Sequence, residues 1–340
     1  VAQCRAANRR LRRLAMAEIV TLTVNPAIDI ATSVERMTDT HKMRCAPARC
    51  DPGGGGINVA RVVHRLGGDC LAVYLAGGPM AARLERLLTA EGLPFEPLQI
   101  EGETRENFSV TETSTHREFR FVMPGPVVSE VEWQHCLDRL DALQPAPRYL
   151  VLSGSLPLGV PEDFYARVIQ MAKARGSRVV LDASEPALHL ALPSAPYLIK
   201  PSLNELRQLT GLALETEADC LAAARGIVRA GHADVVALTL GASGAMLVTQ
   251  DDVAHACPVA TSVHSTIGAG DSFVGAMVWA LNRGADVRQA FRYGVAAAGA
   301  ALRHAGTELG SAAEIEQCYQ GVLLSSAASV VSSPKDEPCT

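Results

Sequence analysis

Ser265-Thr266-Ile267-Gly268-Ala269-Gly270-Asp271-Ser272-Phe273 is the stretch on which the reading of this chain turns. Small residues lead to an acid. An apolar run of helical length follows, through Phe273, Val274, Ala276, Met277, Val278, Trp279, Ala280 and Leu281, and stops at Asn282-Arg283-Gly284. The pattern predicts a helix with glycines at its N-terminus, where free backbone N–H groups and the dipole favour an anion. Asp271 puts a carboxylate beside that place, suited to take a proton from a hydroxyl as it attacks a phosphoryl group. The plainer alternative is a glycine turn with an N-capping Asp. A dinucleotide fingerprint is excluded, because the third glycine it needs falls on Phe273. No G-x-x-x-x-G-K-[ST] occurs, which excludes a P-loop.

A second glycine loop, Pro52-Gly53-Gly54-Gly55-Gly56-Ile57-Asn58, opens onto Val59, Ala60, Val62, Val63 and Leu66 at helical spacing. Its glycines let backbone approach a ligand, and Asn58 offers both a donor and an acceptor; a flexible hinge is the bland reading. Before it, Ile19 to Val24 reads as a first strand closed by Asn25-Pro26. Asp29 then falls just past its carboxyl end, where acids bind sugar hydroxyls in α/β crevices. Leu71–Leu75, Tyr149–Leu152, Arg178–Leu181, Tyr197–Ile199 and Val235–Leu240 read as further strands, alternating with helices such as 80–91. Glycine or polar residues follow them: Ser153-Gly154-Ser155, Asp182, Lys200-Pro201, Gly241. The expectation is an open α/β sheet with ligands at the carboxyl edge. Residues 30–50, Phe95–Val110 and Glu118–Met123 interrupt this pattern and read as antiparallel strands of a small lid. Lys42, Arg44, Arg105 and Arg120 in that insertion are its candidates to meet phosphate, unless neighbouring acids occupy them.

Net charge is −5; without the five arginines before Met16 it is −10, 26 basic groups against 36 acidic. That argues against a nucleic-acid binder and makes any anion binding a local matter. Nine cysteines without a C-x-x-C pair suggest reduced thiols in a cytoplasmic protein, and no apolar run is long enough to span a membrane. Residues 1–17 read as an extension, 18–324 as one domain, and 325–340 as a disordered tail.

With PGGGGINVAR (Pro52–Arg61), FRFVMPG (Phe119–Gly125), Ser153–Gly159 and STIGAGDS (Ser265–Ser272) in hand, the chain resembles the PfkB carbohydrate kinase family from about Ile19 to Tyr319. Within this ribokinase-like family it is most similar to the minor ATP-dependent 6-phosphofructokinases. The resemblance implies a three-layer α/β/α core, with a small β lid through which a homodimer forms. It also implies transfer of the ATP γ-phosphoryl to the 1-hydroxyl of fructose 6-phosphate. Asp271 matches the catalytic base, and Gly268, Ala269 and Gly270 the anion hole. Sugar phosphate would meet Asp29, Gly53, Gly54, Asn58, Arg105 and Ser155, with Arg44 reaching from a partner subunit. Nucleotide would meet Lys200, Ser202, Thr239, Gly241 and Ser265, with Lys42 a further candidate from the lid. Glu205 falls near magnesium, and a potassium site like that of some members falls at Ser265, Ile267, Ala301, His304 and Gly306. Ser202 replaces the usual Asn before the acidic residue, and His304 and Glu308 also depart from the pattern. Relatives acting on fructose 1-phosphate or tagatose 6-phosphate often carry Gly-Gly-Lys-Gly where this chain has four glycines, which favours fructose 6-phosphate. A non-catalytic sugar-phosphate sensor is the alternative from another class; retention of Asp271, both glycine loops and Glu205 speaks against it.

Overall fold

The computed structural model describes residues 17–39, 41–259 and 261–326. Strands β1 (Ile19–Thr23) and β4 (Cys70–Ala76) are buried along their whole length, as parallel strands covered on both faces must be. They pair with each other in parallel, and β5 (Phe95–Gln99) follows β4 at one edge. On the other side of β1 come β8 (Tyr149–Ser153), β9 (Arg178–Asp182), β10 (Leu198–Ile199) and β11 (Val235–Thr239), all parallel. Three antiparallel strands, β12 (Ala245–Thr249), β13 (Val253–Ala256) and β14 (Leu324–Ser326), complete a ten-stranded sheet.

Side chains alternate across this sheet into two cores. Cys70, Ala72, Tyr74 and Ala76 of β4 face helices α1 (Gly55–Arg65), α2 (Gly78–Ala90), α8 (Ala269–Asn282), α9 (Val287–Ala301) and α10 (Ala312–Gly321). Leu71, Val73 and Leu75 face α3 (Glu130–Asp141), α4 (Phe164–Ala174), α5 (Ala187–Ala191), α6 (Leu203–Thr210) and α7 (Glu217–Arg229). The three-layer α/β/α core is therefore present. Helix α8 is apolar nearly all round because it is enclosed, with Phe273 edge-on to Phe291 of α9 at 5.8 Å. Gly275 lets α1 approach: a Cβ there would lie 2.8 Å from that of Val62.

A second sheet, in the order β3 (Arg49–Gly53), β2 (Ala27–Val34), β6 (Arg105–Glu112) and β7 (Arg117–Phe121), is the lid. It differs from expectation in three ways. Phe95–Gln99 belongs to the main sheet, since Phe95 and Leu98 bury against the edge strand β4. β2 and β6 pair in parallel, which the long crossover through α1, β4, α2 and β5 permits. The polar segment carrying Lys42 and Arg44 has nothing to bury and forms no strand; both residues are exposed. Asp29 moves accordingly: it is the third residue of β2, on the lid. At the C-terminal end, Ser325 and Ser326 belong to β14, so that part of the expected tail is ordered, while residues 1–16 and 327–340 lie outside the described residues. Cys45, Cys50, Cys70, Cys136, Cys220 and Cys318 are free thiols, whereas Cys257 is disulfide-bonded, against the expectation of reduced thiols throughout. Among the described residues no helix is long and apolar enough to cross a membrane.

Candidate active site

Helix α8 starts at Ala269 with Gly268 as its N-cap, at a φ of +74° that favours glycine. No side chain caps this end, which leaves the first turn open to an anion. It opens on a cleft of about 290 Å³ between the lid and the carboxyl edge of the main sheet. Asp29, Gly54, Asn58, Arg105, Ser155, Glu205, Ile267, Gly268 and Asp271 line this cleft, whereas Gly53, Lys200, Ser202, Thr239, Gly241, Ser265, Ala269 and Gly270 are not among its lining residues.

Asp271 accepts a hydrogen bond from Asn58 Nδ2 at 2.9 Å. Burial of its carboxylate, reinforced by the nearby Asp182, pushes its pKa up to about 7 against the pull of Asn58 and Lys200. A carboxylate so tuned is a competent proton acceptor at neutral pH, which an N-capping Asp has no need to be. Opposite it, Asp29 accepts from Asn107 Nδ2 at 2.9 Å. Burial raises the Asp29 pKa as well, moderated by that bond and by Arg120 and Arg105.

The glycines are shaped to these acids. A Cβ on Gly53 would lie 2.5 Å from the Asp29 carboxyl carbon, and one on Gly55 would lie 2.2 Å from Ser153 Oγ and 3.2 Å from Asp271 Oδ1. Gly56 serves packing instead, its Cβ position being 2.6 Å from the Leu22 carbonyl oxygen. The loop is thus neither a hinge nor wholly a ligand cradle.

Lys200 extends from the end of β10 to the first turn of α8, where a Cβ on Gly270 would be 3.5 Å from its Nζ. It is buried and pairs with Asp182 Oδ1 at 3.1 Å. Burial works against its charge, but Asp182, Glu205 and Asp271 outweigh that and raise its pKa, so it stays cationic. Nearby, Ser202 and Glu205 form a capping box at the start of α6: Glu205 Oε2 accepts from the Ser202 backbone N–H at 2.7 Å, and Ser202 Oγ accepts from the Glu205 N–H at 3.3 Å. Thr239 bridges to Ser202 across the sheet edge, and Gly241 opens the next turn at a φ of +61°. Ser265 Oγ donates to Glu118 of the lid, 3.0 Å from each carboxylate oxygen, and accepts from the Ile267 N–H at 3.1 Å.

Other expected residues are placed differently. Arg105 lines the cleft but donates to the backbone carbonyls of Met123 at 2.8 Å and Asn25 at 3.0 Å. Lys42 and Arg44 do not line the cleft. The side chain of His304 pairs with Glu314 at 3.0 Å, and its backbone N–H donates to the Ala301 carbonyl at 3.1 Å; Gly306 follows at a φ of +59°. Asp182 and Ser153 are marked in the sequence only as strand-end residues at the carboxyl edge, with no role of their own, and Asn107 and Glu118 are not singled out. Position at the end of a strand was an available signal for the first two; nothing local marks the others.

A family profile described as pfkB family carbohydrate kinase matches residues 20–314. The chain is 41% identical over 302 residues to ATP-dependent 6-phosphofructokinase isozyme 2 of Mycobacterium tuberculosis, covering 89% of each. It is 36% identical to the Escherichia coli isozyme 2, covering 89% of this chain and 98% of that one. A 1-phosphofructokinase of Xanthomonas campestris is 34% identical, covering 78% and 84% respectively. The crystal structure of the Escherichia coli phosphofructokinase-2 with substrates and products superposes with a TM-score of 0.86 at 36% identity, covering 89% of this chain and 98% of that one. By fold, by motif and by these similarities, the chain belongs to the pfkB family of carbohydrate kinases.

Proposed function

We propose that this chain is an ATP-dependent 6-phosphofructokinase, which transfers the γ-phosphoryl of ATP to the 1-hydroxyl of fructose 6-phosphate. The observation that carries the reading is Asp271, raised to about 7 at the open N-terminus of α8 and facing Asp29 across the cleft. Asp29 orients sugar hydroxyls. Asp271 takes the proton from the attacking hydroxyl, and the first turn, Gly268 to Gly270, receives the charge of the migrating phosphoryl. Lys200, Ser202, Thr239, Gly241 and Ser265 form the nucleotide side, with Lys200 neutralising charge near the transferred group.

Glu205 fits a magnesium role, because it lines the cleft and one of its carboxylate oxygens, Oε1, has no part in the helix cap. Magnesium bound there with ATP supplies Lewis-acid neutralisation of phosphate oxygens. Among the described residues no group of three His, Cys, Asp or Glu is placed to hold a metal; Glu205 would hold magnesium together with the bound nucleotide. Potassium suits the backbone carbonyls of Ser265, Ile267, Ala301, His304 and Gly306; Ala301 closes α9, where carbonyls carry the negative end of the dipole. A crystal structure of the Escherichia coli phosphofructokinase-2 with potassium supports that reading (TM-score 0.86, 36% identity, covering 90% of this chain and 99% of that one). The exposed apolar residues Phe121, Val122 and Met123 on and beside the lid support a homodimer through that sheet, with Arg44 reaching the partner's cleft.

Four glycines, where relatives acting on fructose 1-phosphate or tagatose 6-phosphate often carry Gly-Gly-Lys-Gly, favour fructose 6-phosphate. Initial rates of ADP release across these three sugars, with magnesium and with potassium present or absent, test the assignment. The highest kcat/KM is expected for fructose 6-phosphate, and a higher value for another sugar overturns it. Arg105→Ala should raise KM for the sugar phosphate about tenfold and leave kcat within about threefold. An unchanged KM with lower thermal stability would make Arg105 a backbone clamp for Met123 and Asn25.

A further inference from the structure

We propose that Arg61 is a positioning residue, which fixes the Asn58 side-chain amide so that its NH2 group, and not its oxygen, meets Asp271. The inference rests on the kinase reading only for its consequence in turnover. Arg61 is 1% exposed in the middle of α1. Its Nη1 donates to Asn58 Oδ1 at 3.0 Å, and Asn58 Nδ2 donates onward to Asp271 Oδ2 at 2.9 Å. A guanidinium has only donors, so it accepts just one orientation of the amide: a flipped Asn58 would set NH2 against Nη1 and an oxygen against the carboxylate.

The guanidinium itself is held from several sides. Nε and Nη2 reach Glu91 at 2.6 to 3.0 Å, at the C-terminal end of α2. Nη1 also donates to the carbonyls of Pro52, in lid strand β3, at 3.2 Å and Thr307 at 3.4 Å. Asp51 lies 3.9 Å from Nη2, and the like-charged Arg65 faces the same Glu91. Asp271 is faced in turn by Asp182, Lys200 and Asp29, besides Asn58. Of these neighbours only Asn58 donates a side-chain hydrogen bond to Asp271, and Arg61 sets its direction. The competing reading is purely structural, a buried ion pair joining α1 to the end of α2.

One experiment separates these readings, and a second tests the contact between Asn58 and Asp271 on which the proposal depends. Arg61→Lys keeps a cation near Glu91 but lacks the fork that spans Glu91 and Asn58 together. Its kcat should fall about tenfold or more, and KM for sugar phosphate should rise by a smaller factor through Asn58 alone, because the base is misaligned while Asp29, Arg105 and Ser155 keep their places. The acid limb of its kcat profile should move up by about 0.5 to 1 pH unit as the ionised carboxylate loses its donor. A drop in melting temperature with kcat and the acid limb in place overturns the proposal. The second experiment needs neither activity nor a variant that folds. In the 15N spectrum of the wild-type chain, the Asn58 side-chain NH2 pair should shift with a midpoint near pH 7, following Asp271. A pair that does not respond overturns the relay. A responsive pair in a chain that phosphorylates none of the sugars leaves the relay standing and removes the kinase reading.

Discussion

Asp271→Asn is expected to lower kcat by about 10²-fold or more while leaving the KM for sugar phosphate and for ATP near their wild-type values. The side chain keeps its shape, and its oxygen still accepts from Asn58, but it no longer takes a proton. Stability should change in the opposite sense. Folding raises the Asp271 pKa from 3.8 to about 7, so the folded chain favours the protonated acid. The stability associated with that proton is full below the unfolded pKa and is lost as pH rises through about 7. At pH 8 the wild type therefore holds a carboxylate in a site that disfavours its charge, and the amide does not. Asp271→Asn should melt higher than wild type at pH 8 and about equally at pH 4. An N-capping or merely structural acid predicts a loss of stability instead. Unchanged turnover would remove Asp271 from the mechanism, and a lower melting temperature at pH 8 would remove the strained-base account of it.

Much of this site was legible because its local signals are strong. The glycines before an apolar run located the start of α8 and put Asp271 in its first turn, and Asn282-Arg283-Gly284 ended the helix as expected. The main-sheet strands were legible from continuous apolar runs, since both faces of a parallel sheet are covered. The lid was read less well. A strand such as Phe95–Gln99 is short and half apolar, and only its partner β4 assigns it to the main sheet. Parallel pairing of β2 with β6 depends on a crossover of some seventy residues, which no local pattern encodes.

The polar contacts were the least legible part. Asn107 reaches Asp29, and Glu118 reaches Ser265, because the lid folds over the core; neither residue carries a mark in its own neighbourhood. Arg61 illustrates the same limit from inside a helix. It closes the motif Pro52–Arg61 and stands among Val59, Ala60, Val62 and Val63, but nothing in that context indicates its partners. Its burial, and its grip on Glu91 and Asn58, exist only once α1 is packed against the end of α2. Charges in the cleft are likewise tuned collectively: Asp182 raises Asp271, and Lys200 restrains the rise.

That balance sets the second large expectation. Lys200→Met should reduce kcat/KM for ATP by about 10²- to 10³-fold, the range seen when a preorganised charge-stabilising group is removed. It should also destabilise the fold by about 3–5 kcal/mol, since Asp182 is left as an unpaired buried charge beside Asp271. The two effects have different origins, and a second substitution divides them. In Lys200→Met with Asp182→Asn the orphaned carboxylate is gone, so the melting temperature should return most of the way to wild type. Turnover should not return, because no cation remains at the first turn of α8 to meet the phosphate. Recovery of both in the double variant would reduce Lys200 to a counterion for Asp182, and would leave the amides of Gly268 to Gly270 as the receivers of phosphoryl charge in this cleft.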